Sequence, residues 1–330
     1  MRWGRTWGIA MAIVIGCLGG YEVYLRRAGF VPTVPSRPTA WVVTRDRLRD
    51  TSTVVVGSSR IHALVDPVVW ARAAGGASAL QLATFGGATI PALEHLAALP
   101  SFRGLVLGDI VPFFTFDKYQ LRRALVDELE AYRRTRVSPA SRIEAYLRVY
   151  LPYQFVFSGS QVGLRQWVDP APDFDPREAA AAVTLPNGYR VRRFRAAGVA
   201  ANPDWVMTPA TFGRLHRSVP SRIEFTRMRD RLVAAVDTIE ARGGTVVLIY
   251  APGCGGRRVV EEKLYPKSLF WDPIRAGVGQ TVDLDDYPGF AALPCYDGSH
   301  LDVEDAAKVT EWLAGRVAAT IAARPPRGAR

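Results

Sequence analysis

The chain has no internal repeat and no low-complexity stretch, which excludes a repeat architecture and an extended disordered region. It has no zinc-finger spacing, no glycine-rich phosphate loop and no aromatic RNA-binding motif. The net charge of +11 therefore does not point to nucleic acid, and no metal or cofactor pattern is present to supply chemistry. Asparagine occurs twice, at Asn187 and Asn202, and cysteine three times. Cys17 sits in an N-terminal apolar run, while Cys254 and Cys295 each follow an expected strand at the same sheet edge. Those two form either a disulfide, which fits an oxidising compartment, or a pair of buried thiols.

What the chain does have is apolar residues and arginine. At 330 residues and 48% hydrophobic content it buries a sizeable core, as one large domain or a domain carrying an insertion. The positive charge comes largely from arginine, in short pairs such as Arg122-Arg123, Arg133-Arg134, Arg192-Arg193 and Arg257-Arg258. Such a surface either meets an anionic partner, such as a membrane surface or a polyanionic glycan, or is simply solvated.

Arg2 and Arg5 precede an uncharged run from Thr6 to Tyr21, followed by Glu22 and Arg26-Arg27. The run falls short of the roughly 20 residues needed to cross a bilayer, but extending it to Leu25 adds only one acid near the interface. Residues 1–27 are expected to be a single-pass membrane anchor. Val14-Ile15-Gly16-Cys17 also has the form of a lipobox, with Cys17 as a lipidated N-terminus, and a cleaved secretory signal is a further reading. Arginines flank both ends of the run, so charge does not set its orientation.

Pro32, Pro35 and Pro38 mark residues 28–40 as an extended linker, because proline fixes φ and restricts its predecessor. The globular domain is expected over residues 41–323. Apolar runs predict strands at 53–57, 78–83, 104–108, 245–251 and 280–284, and periodicity predicts helices at 61–74, 89–98, 221–242 and 303–323. This alternation implies an α/β fold with a mostly parallel sheet covered on both faces. Residues 110–220 interrupt it as an insertion. Its first half reads as helical, with Leu121, Leu125, Leu129 and Tyr132 on one face. From Leu151 to Pro220 it is rich in Pro, Gly, Trp and Arg without a period, the composition of a lid or binding loop. Arg165, Arg190, Arg192 and Arg193 are placed to meet an anionic glycan there. Tyr153, Phe155, Phe157, Trp167 and Trp205 either stack on sugar rings or pack beneath the lid. Residues 324–330 read as a frayed basic tail.

Two segments carry candidate chemistry. Thr53-Val54-Val55-Val56-Gly57-Ser58-Ser59-Arg60 reads as a buried strand, a sharp turn with serine, and a helix. Tyr296-Asp297-Gly298-Ser299-His300 places an acid and an imidazole three positions apart before the terminal helix. In an open parallel sheet both fall at the carboxyl edge, where ligands bind. Ser59 is the candidate nucleophile, His300 its base and Asp297 the acid that orients His300. His62, His95 and His216 read as structural. The amide of Ser59 at a helix N-terminus and an amide from Gly86 or Gly87 are the expected oxyanion donors. An ordinary strand-to-helix turn explains those glycines equally well.

These segments resemble the SGNH, or GDSL-like, hydrolases, whose pattern runs Gly-Asp-Ser, glycine, Gly-x-Asn-Asp and Asp-x-x-His along the chain. Gly57-Ser58-Ser59 matches the first block with Ser58 in place of the aspartate, Gly86 or Gly87 the second, and Asp297-Gly298-Ser299-His300 the fourth. The third block departs: Leu107-Gly108-Asp109-Ile110-Val111-Pro112 has no asparagine, so the family's side-chain oxyanion donor is missing or replaced. The resemblance covers roughly residues 50–110 and 245–323 and implies a flavodoxin-like three-layer fold with five parallel strands. Ser58 and Arg60 would then position substrate, and Asp109 either a substrate hydroxyl or an arginine.

The Gly-Ser-Ser-Arg turn and the N-terminal anchor are more similar to membrane-tethered members that act in alginate O-acetylation and in D-alanyl transfer to teichoic acids. Those members work beside a membrane-bound O-acyltransferase. The resemblance implies an extracytoplasmic, membrane-anchored acyl esterase or O-acyltransferase acting on an acylated glycan or small ester through an acyl-serine. It implies no cofactor and no metal. A catalytically weak scaffold subunit of a polysaccharide-modification complex is the alternative, and a plain carboxylester hydrolase fits the arginine-rich insertion less well.

Overall fold

The computed structural model describes residues 3–34, 37–76, 78–117, 125–159, 176–202, 213, 216–217 and 219–323. Among these, five parallel strands form the central sheet: β1 (Val54–Val56), β2 (Leu80–Gln81), β3 (Leu105–Ile110), β6 (Thr245–Tyr250) and β7 (Thr281–Asp283), in the order β2-β1-β3-β6-β7. The order steps outward in both directions from β1, so the chain reverses direction between β1 and β3. That reversal makes the carboxyl edge there the natural ligand crevice. Val54, Val55 and Val56 are wholly buried, as are Val246 to Ile249. Each such side chain is worth about 1.5–3 kcal/mol relative to exposure.

Helices cover both faces. Of the ten used below, the first five are α1 (Trp3–Arg27), α2 (Arg37–Asp46), α3 (Ser59–Leu64), α4 (Pro67–Ala73) and α5 (Thr89–Ala97). The later ones are α6 (Val126–Thr135), α7 (Pro139–Tyr150), α8 (Arg222–Ala241), α9 (Gly255–Leu264) and α10 (Val303–Ala322). Helices α5 and α8 pack together on one face, and α10 packs on α3 and α4 on the other, giving three layers.

The helix expected over 61–74 is divided in two. Pro67 occupies the first turn of α4, and Asp66 caps it by accepting from Val68 N and Val69 N at 2.8 and 3.2 Å. The linker is also more structured than its prolines suggested. Helix α2 begins at Arg37, with Pro38 in the first turn where its missing N–H costs nothing. Val34 N donates to Thr184 O at 2.9 Å and Thr184 N to Thr33 Oγ1 at 2.7 Å, so residues 33 and 34 dock on the insertion.

Helices α6 and α7 confirm a helical first half of the insertion, in which Leu125 is buried and Leu129 and Tyr132 pack on the core. The second half contains an antiparallel hairpin that was not expected, β4 (Ala182–Thr184) with β5 (Arg190–Arg192), packed on α3. Leu121, Arg165, Trp167, Trp205 and the basic tail 324–330 lie outside the described residues.

Helix α1 is 25 residues, about 37 Å at 1.5 Å per residue, and is long and apolar enough to cross a membrane. Most of it is exposed. In its last turns Leu25 is fully buried, packed with Phe30, Val156 and Ala180, while Val23, Tyr24, Arg26 and Arg27 stay exposed.

Candidate active site

Register builds the first turn. Val56 pairs with Gly108, so Asp109 at the end of β3 falls beside Gly57. Gly57 has φ +123°, and a Cβ there would sit 1.9 Å from Asp109 Oδ1. Only glycine fits, on both backbone and steric grounds. Ser58 N donates to Asp109 Oδ1 at 2.8 Å and Ser58 Oγ donates to Oδ2. Ser58 Oγ in turn accepts from Arg60 N at 3.1 Å, capping α3. Thr89 Oγ1 at the start of α5 adds a further bond to Asp109 Oδ1 at 3.2 Å. Burial pushes the Asp109 carboxyl above its ordinary range, against these bonds and the nearby Arg60.

Asp109 and Ser58, expected to position substrate, thus spend their polar atoms on holding the turn. Ser59 is different: its Oγ makes no hydrogen bond among the described residues, and its N–H is an open amide in the first turn of α3.

The second segment forms a closed acid–imidazole pair. His300 Nδ1 lies 2.7 Å from Asp297 Oδ2, while Asp297 Oδ1 accepts from Ser299 N at 3.0 Å and His300 N at 2.8 Å. With the carboxylate accepting at Nδ1, the imidazole proton resides there and Nε2 carries the lone pair. Nε2 is buried and has no hydrogen-bond partner among the described residues. Burial lowers the His300 pKa to about 4; Asp297 opposes this, and Arg192 adds to it. Burial acts to raise Asp297, but His300 and Arg192 outweigh it and hold the carboxyl below the usual range. The imidazole is therefore neutral at neutral pH and able to accept a proton.

Arg60 joins the two segments. Its Nε donates to Ser299 Oγ at 3.1 Å, so the residue after Ser59 is bonded to the residue before His300. The guanidinium also donates to Ala251 O at 2.8 Å and to Glu261 of α9 at 2.9 Å, and Glu261 accepts from Arg257 Nε at 2.7 Å. Arg60 was expected to meet substrate. Its side chain is only 3% exposed and is engaged on all sides by protein groups that fix the loops after β1, β6 and β7.

The glycine turn after β2 separates the two expected amide donors. Gly87 N is committed to Thr84 O at 3.0 Å, whereas Gly86 N has no partner among the described residues. A Cβ on Gly87 would meet Gly57 O at 2.5 Å, so the two turns touch through backbone. Among the described residues the amides of Ser59 and Gly86 are thus the two in these turns without a hydrogen-bond partner.

Cys254 and Cys295 are bridged, with Cα atoms 5.6 Å apart, and Cys254 N donates to Gly298 O at 3.1 Å. The loop after β6 is thereby tied to the loop carrying Asp297. A cavity of about 560 Å³ opens along this tie, walled by Arg60, Ser299, His300, Pro252, Phe290 and Leu293. It includes neither Ser58 nor Ser59, so it lies on the β6–β7 side of the pair. Because the bridge spans 41 residues, replacing both cysteines by alanine should lower stability by about 2–4 kcal/mol in chemical denaturation. An unchanged midpoint would show that the bridge constrains nothing.

Sequence reasoning passed over Thr89 and Glu261, placed Arg192 against a glycan where the structure buries it beside the Asp297–His300 pair, and read Arg257 only as part of a charged pair. Only the four-residue spacing of Arg257 and Glu261 was a readable signal. His62 Nε2 bonds to Gly188 O and His95 Nε2 accepts from Arg45 Nε, which gives both the structural places expected of them. No family model matches the chain, and no curated protein matches it in sequence.

Proposed function

We propose that this protein is a membrane-anchored, SGNH-type acyl esterase or O-acyltransferase that works through an acyl-Ser59 intermediate on a cell-envelope or exopolysaccharide. The observation that carries the reading is the Asp297–His300 pair, with Nδ1 satisfied and Nε2 buried and unbonded, joined through Arg60 to the Ser59 turn. In this reaction His300 Nε2 takes the Ser59 proton as Oγ attacks the acyl carbonyl. The alkoxide that forms is met by the Ser59 and Gly86 amides. The proton then goes to the leaving alcohol, and an incoming water or glycan hydroxyl reverses the sequence. Helix α1 tethers the domain to the bilayer, with the domain on the extracytoplasmic side, where the Cys254–Cys295 bridge persists. A membrane-bound O-acyltransferase is the partner this arrangement suits.

A fluorophosphonate probe tests the nucleophile: Ser59 Oγ displaces fluoride and the proton passes to His300. The adduct should map to Ser59 and vanish in Ser59→Ala. An adduct on Ser58 would move the assignment, and no adduct on folded wild type would favour a scaffold subunit. One observation favours that second reading, namely that neither asparagine is on the third strand. Asn187 Oδ1 is used by Tyr189 N, and Asn202 N donates to Cys295 O.

A further inference from the structure

We propose that helix α7 and the turn that follows it, as far as Phe155, lie on the surface of the bilayer beside the point where α1 leaves it, against anionic lipid headgroups. This rests on the reading of α1 as a bilayer-spanning helix.

The sequence of α7 has two apolar faces, and only one is used by the protein. Ala145 and Val149 are buried, Val149 packing with Val34, Ala40 and Val43 of the linker and α2. Ile143, Leu147, Leu151 and Phe155 follow at four-residue steps and are 61%, 55%, 60% and 44% exposed. That spacing keeps Ile143 and Leu147 on one face of α7, and the chain carries the stripe on through Leu151 to Phe155. Large apolar side chains scattered singly need no explanation, but four in sequence on one strip do.

The stripe ends on the membrane helix. Val156 N and Phe157 N donate to the Glu22 carboxylate at 2.9 and 3.1 Å, and Arg26 donates to Gln154 O at 3.4 Å. Phe155 thus adjoins residues pinned to the last two turns of α1. If residues 3–20 are in the bilayer, its surface passes close to Phe155, and a bilayer is the apolar phase nearest the stripe. Charge agrees: residues 133–155 carry five arginines and one glutamate. Although Arg134, Arg142 and Arg148 pair with Glu130, Asp46 and Glu144, Arg133 and Arg136 remain beside the stripe, with Arg26-Arg27 at the end of α1. An apolar stripe flanked by arginine is the pattern of an interfacial helix on anionic lipid.

The test uses the full-length chain with Cys17→Ser and the native disulfide kept. Single cysteines at Ile143→Cys and Leu147→Cys are labelled with an environment-sensitive fluorophore in nanodiscs of phosphatidylcholine with or without phosphatidylglycerol. Ile13→Cys in α1 and Val259→Cys on α9 serve as references. The labels at 143 and 147 should shift to the blue and lose intensity to nitroxides placed near the headgroups, more so with phosphatidylglycerol. The label at 13 should respond to deep nitroxides, and the one at 259 to a water-soluble quencher. If 143 and 147 behave like 259 while 13 is inserted, this proposal falls and the anchor stands. If 13 is itself in water, both fall. Protection of 143 and 147 in native membranes but not in pure lipid would assign the stripe to a protein partner instead and overturn the lipid assignment.

Discussion

His300→Gln should slow fluorophosphonate labelling of Ser59 by about four orders of magnitude, with the fold unchanged by circular dichroism. Glutamine removes the Nε2 lone pair, so nothing takes the Ser59 proton as Oγ attacks. The pH profile of wild type separates this from a structural effect. With a pKa near 4, His300 is protonated below that value and neutral above it. The labelling rate should rise with pH through about 4 and be flat at neutrality, and this rise should be missing in His300→Gln. Stability carries the same signature. The folded pKa lies below the ordinary 6.5, so the unfolded chain binds more protons between the two values. The contribution of the neutral imidazole is present above pH 6.5 and lost as pH falls toward 4. Labelling of His300→Gln at the wild-type rate would remove the imidazole from the mechanism.

The central sheet was legible because its strands are short runs of valine, leucine and isoleucine, too short for helices and bounded by turn residues between helical patterns. Val54 to Val56 and Thr245 to Tyr250 fall within one residue of where the sequence puts them. The Asp297–His300 pairing was legible for a local reason: three residues of turn bring the two side chains together whatever the rest of the fold does. The hairpin β4–β5 was missed although it had a signal, Pro186-Asn187-Gly188, in which Gly188 adopts φ +82° and Asn187 Oδ1 accepts from Tyr189 N. The arginines of β5 masked it, since alternating charge reads as surface. Here Arg190 and Arg192 are buried, their guanidiniums over the rings of Phe85 and Phe194. The role of Asp109 had no local signal. An acid at a strand end reads as facing a ligand, and only the β1–β3 register shows it turned into the space that Gly57 leaves.

Glu261→Gln should destabilise the protein by about 3–5 kcal/mol, the cost of removing one partner from a buried ion pair. Arg60 and Glu261 lie 201 residues apart in sequence, and their side chains are 3% and 8% exposed. Arg257 is 13% exposed and shares the same carboxylate, so the substitution leaves two guanidiniums facing each other with no charge between them. Burial acts to raise the Glu261 pKa, yet Arg60 and Arg257 hold it below the ordinary range, as a carboxylate between two cations requires. Arg60→Met alone should cost a similar amount and also release Ser299 Oγ, loosening the loop that carries Asp297 and His300. The double variant Arg60→Met with Glu261→Leu should recover little of the stability, because the apolar pair replaces Arg60 and its acid but leaves the Arg257 guanidinium, 13% exposed, with only its contact over the Phe113 ring. It should not recover the labelling rate of Ser59, since the bond from Arg60 to Ser299 remains absent. Urea denaturation of the four proteins, read beside probe labelling, decides the point. Equal stability in all four would mean that the triad is not buried, and full labelling by the double variant would mean that Arg60 does not position the Asp297–His300 loop.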